Sequence, residues 1–285
     1  MTIQYVPRTV EKNTPTSVTL ASNAVTPSET VVTHSPGHGE IALKADSKKA
    51  VASAGVMKVS DHQPYMLAWL PYYDKVLQSD LHIVMTQAAF SRDDNYVNRF
   101  RVSGMKVTVP ILRATSGVGA PTWAVRSSLE APYLITKALK QAYGRRYEFR
   151  QRLDPIFDLI GVSNTSIPVA EFNVRVLEYV LELLKWDGIL LGDTEPTGVS
   201  KVERSVNRLT AAGVEINENW LYLCGEGTVS YLAGEKFPLK VSVQSIANPD
   251  AAPSILDVLV KYKDPRKFIK EWCEKNIVWK EPEYL

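Results

Sequence analysis

The sequence predicts an α/β domain: a mixed or mainly parallel sheet flanked by helices, with a helical middle section and a disordered N-terminal tail. Three observations predict it. Runs rich in β-branched residues recur along the chain, helical stretches with capping signals lie between them, and the composition changes near residue 56. Strands alternating with helices on this scale favour parallel pairing.

Residues 1–56 are rich in Ser, Thr, Val, Ala and Lys, nearly free of aromatics and without a sustained period, which reads as a disordered tail. His34 and His38 in "THSPGHG" lack the further ligands a zinc site needs, so they read as linker. A single folded domain is expected over 57–285. "GVMKVSDHQP" reads as a strand running into a loop, and "LHIVMTQAAF" and "MKVTVPIL" as further strands. Between the first two, Pro71 followed by "YYDKVLQSD" suits a short helix, because Pro is tolerated at the first helical position.

The middle section is helical. "SSLEAPYLITKALKQAYGRR" and "RLDPIFDLIG" suit short helices, and "VAEFNVRVLEYVLELLK" is the clearest. Phe172, Val176, Val180 and Leu183 make its stripe, and Glu171, Arg175, Glu178 and Glu182 lie largely away from it. "SKVERSVNRLTAAG" carries a capping-box spacing at Ser200 and Glu203 and a terminating Gly213. Strands return at "NWLYLCG" and "LKVSVQSI". "SILDVLVKY", with Ser254 and Asp257 at capping-box spacing, and "DPRKFIKEWCEKN", with Pro265 just inside its start, close the chain as helices.

Bulk properties exclude several classes. The chain has 285 residues and a formal net charge of +2, so charge balance alone does not announce a nucleic-acid binder. Two cysteines, Cys224 and Cys273, make neither a disulfide framework nor a cysteine-rich metal site. Without an apolar run of about 18 residues or a secretory start, a cytoplasmic protein with no membrane partner is expected. Nucleophile-elbow, HExxH and CxxC patterns are absent.

Four constellations bear on chemistry. His62 and Gln63 directly follow a strand, where α/β sheets present ligands, and His62 suits general acid–base work, phosphate binding or a structural loop role. Around them Tyr65, Trp69, Tyr72 and Tyr73 either stack on a planar group or cover the core. In "FSRDDNYVNRFRVSG", Arg92, Asn98, Arg99 and Arg101 suit phosphate oxygens, or form a solvated edge with Asp93 and Asp94. Lys201, Arg204 and Arg208 share a helix face opposite Val202, Val206 and Leu209, which is also the ordinary look of a surface helix. "CGEGTVSYLAGEKF" sets Gly225, Gly227 and Gly234 around Tyr231 without forming a Walker loop or a dinucleotide fingerprint.

In this order the pieces resemble the WbqC-like family, whose members commonly begin "HQPxxxPWxGYxDK" and continue with "FSRR", "NRxR" and "TVP" stretches. Here these are His62-Gln63-Pro64, Trp69, Tyr73-Asp74-Lys75, Phe90-Ser91-Arg92, Asn98-Arg99 with Arg101, and Thr108-Val109-Pro110. "ERSVNRLTAAG", "GTVSYLAGEKF" and "SILDVL" resemble later family segments, so the resemblance covers roughly 58–262. Ala68 and Pro71 stand where the family usually has proline and glycine, and "MTQAAF" lacks the acidic residues that often precede the phenylalanine.

The resemblance implies one of two enzymatic settings. One is bacterial surface polysaccharide (O-antigen) biosynthesis on a nucleotide-linked substrate. The other, toward which the divergent motif and the Thr-rich tail lean, is that of the bacteriophage amino acid:DNA transferases. There a free amino acid displaces pyrophosphate from a pyrophosphorylated 5-hydroxymethyluracil in DNA, in the host cytoplasm. A non-catalytic nucleic-acid-binding protein is the third reading. For the transferase, His62, Gln63, Lys75 and Arg99 are the expected catalytic residues. Tyr65, Trp69, Tyr73, Asp74, Arg92, Asn98, Arg101, Arg204 and Tyr231 are expected to bind substrate. No cofactor is firmly implied, and a divalent metal stays open.

Overall fold

The computed structural model describes residues 56–90, 96–117, 119–144, 147–161, 165–193, 197–232 and 235–285. The expected tail lies outside them apart from Val56.

Five parallel strands make the centre of the main sheet: β1 (Met57–His62), β2 (Leu81–Val84), β5 (Ile189–Gly192), β6 (Trp220–Gly225) and β7 (Lys240–Ile246), in the spatial order β5-β2-β1-β6-β7. Two short C-terminal strands, β8 (Ile277–Trp279) and β9 (Glu283–Tyr284), pair antiparallel along the outer edge of β7 and make the sheet mixed. From β1 the chain steps outward to β2 and β5, then crosses back over β1 to β6 and β7. The winding therefore reverses between β1 and β6, and it is at such a reversal that an open α/β sheet leaves a crevice at the carboxyl ends of its strands.

Alternation along the strands divides the residues between two faces. Val59, Leu81, Ile83, Tyr222, Cys224, Val241 and Val243 face one core, covered by α5 (Lys201–Ala211) and α6 (Glu226–Leu232). The other face receives α1 (Leu70–Leu77), α2 (Ala131–Ala142), α3 (Asp154–Ile160), α4 (Val169–Leu183), α7 (Ile255–Lys261) and α8 (Pro265–Asn276). On α4 the expected stripe packs inward: Phe172, Val176 and Val180 are buried, each such side chain contributing about 1.5–3 kcal/mol of transfer free energy, and Leu183 is partly buried. The α5 cap also forms, with the Glu203 N–H donating to Ser200 Oγ at 3.1 Å and Gly213 closing the helix at φ +84°. In α7 the cap is shifted by one position: the Leu256 N–H donates to Ser254 Oγ, while Asp257 accepts from Lys261.

Two features lay beyond what the sequence specified. The strand expected at "MKVTVPIL" is not part of the main sheet. Its β4 (Met105–Thr108) pairs antiparallel with β3 (Arg99–Val102) in a separate two-stranded ribbon. Ser103 and Gly104, with φ of +47° and +80°, make the tight turn between them. The four-residue β5, read straight out of "GILLGD", was not expected, because so short an apolar run carries no period of its own.

Candidate active site at the carboxyl edge of the sheet

Neighbouring Asp61 and His62 point to opposite faces at the end of β1, and a polar cluster is built on each. On the α1 face, Ser79 Oγ donates to the Lys75 carbonyl at 2.7 Å, which spends its only hydrogen. In the 2.6 Å contact between the two hydroxyls Ser60 is therefore the donor to Ser79. With the Ser60 hydrogen also spent, the 2.7 Å contact to His82 requires the hydrogen on His82 Nδ1. The Tyr72 hydroxyl, 3.4 Å from His82 Nε2, completes the chain as donor. Burial first, and the charge of Lys75 second, hold His82 neutral well below its ordinary pKa, so the chain carries no charge.

His62 stands beside this chain, edge-on to Tyr65 at a centroid distance of 4.3 Å and to Tyr72 at 5.4 Å. Its Nδ1–H donates to the Gln63 carbonyl at 3.0 Å, which leaves Nε2 as the atom with an open lone pair. Burial, then the neighbouring Lys75, pulls its pKa down, so His62 is neutral near pH 7. Lys75 Nζ is buried and donates to the Asp61 carbonyl at 3.1 Å, using one of three hydrogens, and among the described residues it forms no ion pair. Burial lowers its pKa to about 8, with Asp61 working the other way.

The α5 face is charged. Asp61 accepts from Arg208 Nη1 at 2.7 Å and from the Tyr222 hydroxyl at 2.6 Å, all three side chains being buried. Beyond Arg208 lies Asp193, just past β5. Its Oδ1 accepts from the Thr86 N–H, the Thr86 hydroxyl and the Gln87 N–H, pinning the chain after β2 to the end of β5. Asp193 Oδ2 and Arg208 Nε face each other at 3.9 Å, and both are buried without a hydrogen-bond partner. Burial raises the Asp193 pKa to about 6, outweighing the three donors and Arg208.

The loop after β1 and the start of the ribbon are held together at the site. Asn173 of α4 gives both amide hydrogens away, to the Pro64 and Val97 carbonyls, each at 2.8 Å. Trp69 lies parallel to Tyr96 at 5.5 Å, and Tyr65 packs against Tyr96 at 5.2 Å. Arg99 then begins β3 with its Nε shut from solvent and unpartnered, a burial that costs about 1–3 kcal/mol unless an acceptor arrives.

The expected residues divide accordingly. His62, Gln63, Tyr65, Trp69 and Lys75 gather around the loop, Gln63 being tied down by donation from Nε2 to the Ala89 carbonyl at 2.9 Å, and Arg99 begins β3 three residues after Tyr96. Arg101 is half-buried on the same side of β3 as Arg99. Tyr73 is corrected to a core residue, buried against the edge of Tyr72. Asp74 is likewise internal, its carboxylate accepting from Gln78, Gln244 and Trp279. Asn98 is buried and clasps the Val109 carbonyl, so it shapes the ribbon rather than offering its amide to a ligand. Arg204 is half-buried one turn before Arg208. Arg92 and the side chain of Tyr231 lie outside the described residues. The expected basic stripe of α5 is corrected at Arg208, which is buried in the Asp61 pair. Gly225 and Gly227 have open space where a side chain would begin, so no close backbone approach demands them.

Ser60, Asp61, His82, Asn173, Asp193 and Tyr222 were not anticipated. Asp61 stood beside His62 in the sequence, but its partners lie 147 and 161 positions away. Among the described residues no group of three His, Cys, Asp or Glu side chains is placed to hold a metal ion, and no helix is long and apolar enough to cross a membrane.

The model of the WbqC-like protein family matches residues 63–247, a span that begins at Gln63 and contains Lys75, the ribbon, Asn173, Asp193, Arg208 and Tyr222. Comparison with curated proteins and with solved structures gives no match.

Proposed function

The chain belongs to the WbqC-like family, and from that premise we propose that it is a transferase joining a free amino acid to a pyrophosphorylated 5-hydroxymethyluracil base in DNA. The amino nitrogen forms a bond to the methylene carbon on the ring, the carbon–oxygen bond to pyrophosphate breaks, and one proton leaves the nitrogen. The observation that carries this reading is Lys75: a buried amine with, among the described residues, one hydrogen bond and no ion pair, beside a neutral histidine, at the carboxyl edge where the sheet's winding reverses.

That environment exchanges the roles expected of the two residues. A histidine held neutral by burial is a weak base, so His62 Nε2 orients the incoming amine by accepting a hydrogen bond from it. Lys75, brought down to about 8 by burial, is neutral in a fraction of the molecules near pH 7 and in that form takes the proton. The ammonium so formed adds positive charge where the pyrophosphate departs. Tyr65 and Trp69 cover one side of the loop where a base drawn out of the duplex would lie.

The reading is tested by nucleoside mass spectrometry on DNA carrying the pyrophosphorylated base, incubated with the protein and pooled amino acids. The expected product is a nucleoside in which an amino acid has replaced pyrophosphate. With substrate competence verified by chemical aminolysis of the same DNA, absence of any new nucleoside rejects the proposal. Lys75→Met is expected to abolish product formation, and His62→Asn to lower turnover while leaving DNA binding intact.

A further inference from the structure

We infer that the outward face of the β3–β4 ribbon is a docking surface for the sugar–phosphate backbone of DNA, held by Arg99, Arg101 and Lys106. This rests on the transferase reading and deepens it, naming where the polymer lies outside the reacting base.

The register puts Arg99 opposite Thr108 and Arg101 opposite Lys106, so three cations and a hydroxyl share one face. Phe100 and Val102, on the other face, are fully buried and fix the ribbon to the core. Arg99 and Arg101 are about 6.7 Å apart along the strand, a separation comparable with that of successive phosphates on a nucleic-acid chain. Lys106 is exposed and Arg99 half-buried, and among the described residues neither forms an ion pair.

The ribbon is also held still before any ligand arrives. The Ser103 N–H at its turn donates to the Tyr143 hydroxyl at 3.2 Å, anchoring the tip to α2. Its base is fixed by Asn98 on Val109 and by Asn173 on Val97. The cationic face thus begins three residues from Tyr96, within the aromatic nest, and runs outward to an exposed tip. Contacts of this kind read phosphates and not bases, so the binding is independent of sequence and weakens with salt.

The experiment measures fluorescence anisotropy of labelled, unmodified duplex DNA with the full chain, Lys106→Met and Lys106→Glu, at salt from about 50 to 200 mM. Circular dichroism of each variant verifies the fold. The expected result is weaker binding in the order wild type, Met, Glu, with the salt slope of Lys106→Met shallower by about 1. Equal affinity and slope for all three proteins, or no duplex binding by wild type at the lowest salt, overturns the assignment. So does binding to anionic lipid vesicles that depends on Lys106 when duplex binding does not. Lys106-dependent duplex binding without a new nucleoside sinks the transferase reading and leaves the ribbon in place, whereas a new nucleoside with Lys106-independent binding does the reverse.

Discussion

Asp61 and His62 are adjacent in the chain and end up in opposite kinds of surroundings. On the α5 side, Asp61, Arg208 and Asp193 are ionisable groups with two polar atoms left unpartnered. On the α1 side, Ser60, Ser79, His82 and Tyr72 form a neutral chain in which each hydroxyl and each ring nitrogen has one assigned role. The first cluster ties distant elements together by charge. The second fixes the direction of its hydrogens, and with them the surroundings of the His62 ring.

Four changes bring out the difference, the largest effect first. Arg208→Leu leaves Asp61 a buried carboxylate with, among the described residues, only the Tyr222 hydroxyl still donating to it, and about 3–5 kcal/mol of stability should be lost in urea unfolding. The double variant with Asp61→Asn should recover much of that, which a simple packing defect at Arg208 would not allow.

Asp193→Asn tests the same cluster through pH. The folded pKa of about 6 lies above the ordinary 3.8, so the fold favours the protonated form. The stability this group contributes is present below its unfolded pKa and is lost as pH rises through 6, amounting to about 3 kcal/mol. Unfolding midpoints from pH 4 to 7 should therefore fall in wild type relative to the variant, and parallel curves would show that Asp193 is ionised throughout.

The neutral chain should respond less. Ser60→Ala removes the acceptor of His82 Nδ1–H and is expected to cost about 1–3 kcal/mol, with no change in the pH dependence of unfolding. Tyr72→Phe deletes only the long 3.4 Å bond and should cost about 0.5 kcal/mol. A pH-dependent loss in either variant would mean that the chain holds a charge.

What the sequence disclosed follows the reach of its signals. The α4 stripe and the α5 cap were legible because their partners lie within a turn or two of each other. The ribbon was half-legible: Phe100 and Val102 alternate with Arg99 and Arg101 at the period of a strand, but the arginines drew attention as a charge cluster. Arg208 was misread because an amphipathic pattern registers which helix face is polar and carries no record of a carboxylate on a strand 147 positions earlier. His62 stood out from its place directly after a strand, and Lys75 came with the family motif. Their protonation, which decides what each does, depends on burial by residues from several elements and has no local signature.

Asn173 gives the arrangement a further property. A single planar NH2 group holds two carbonyls, one beside the aromatic loop and one beside the ribbon, so the gap between those segments is set by the geometry of one amide. The protein in effect carries a gauge with a fixed jaw. On the transferase reading proposed above, a ligand reaching from a base against Tyr65 and Trp69 to a phosphate on Arg99 would have to match the spacing that this amide sets.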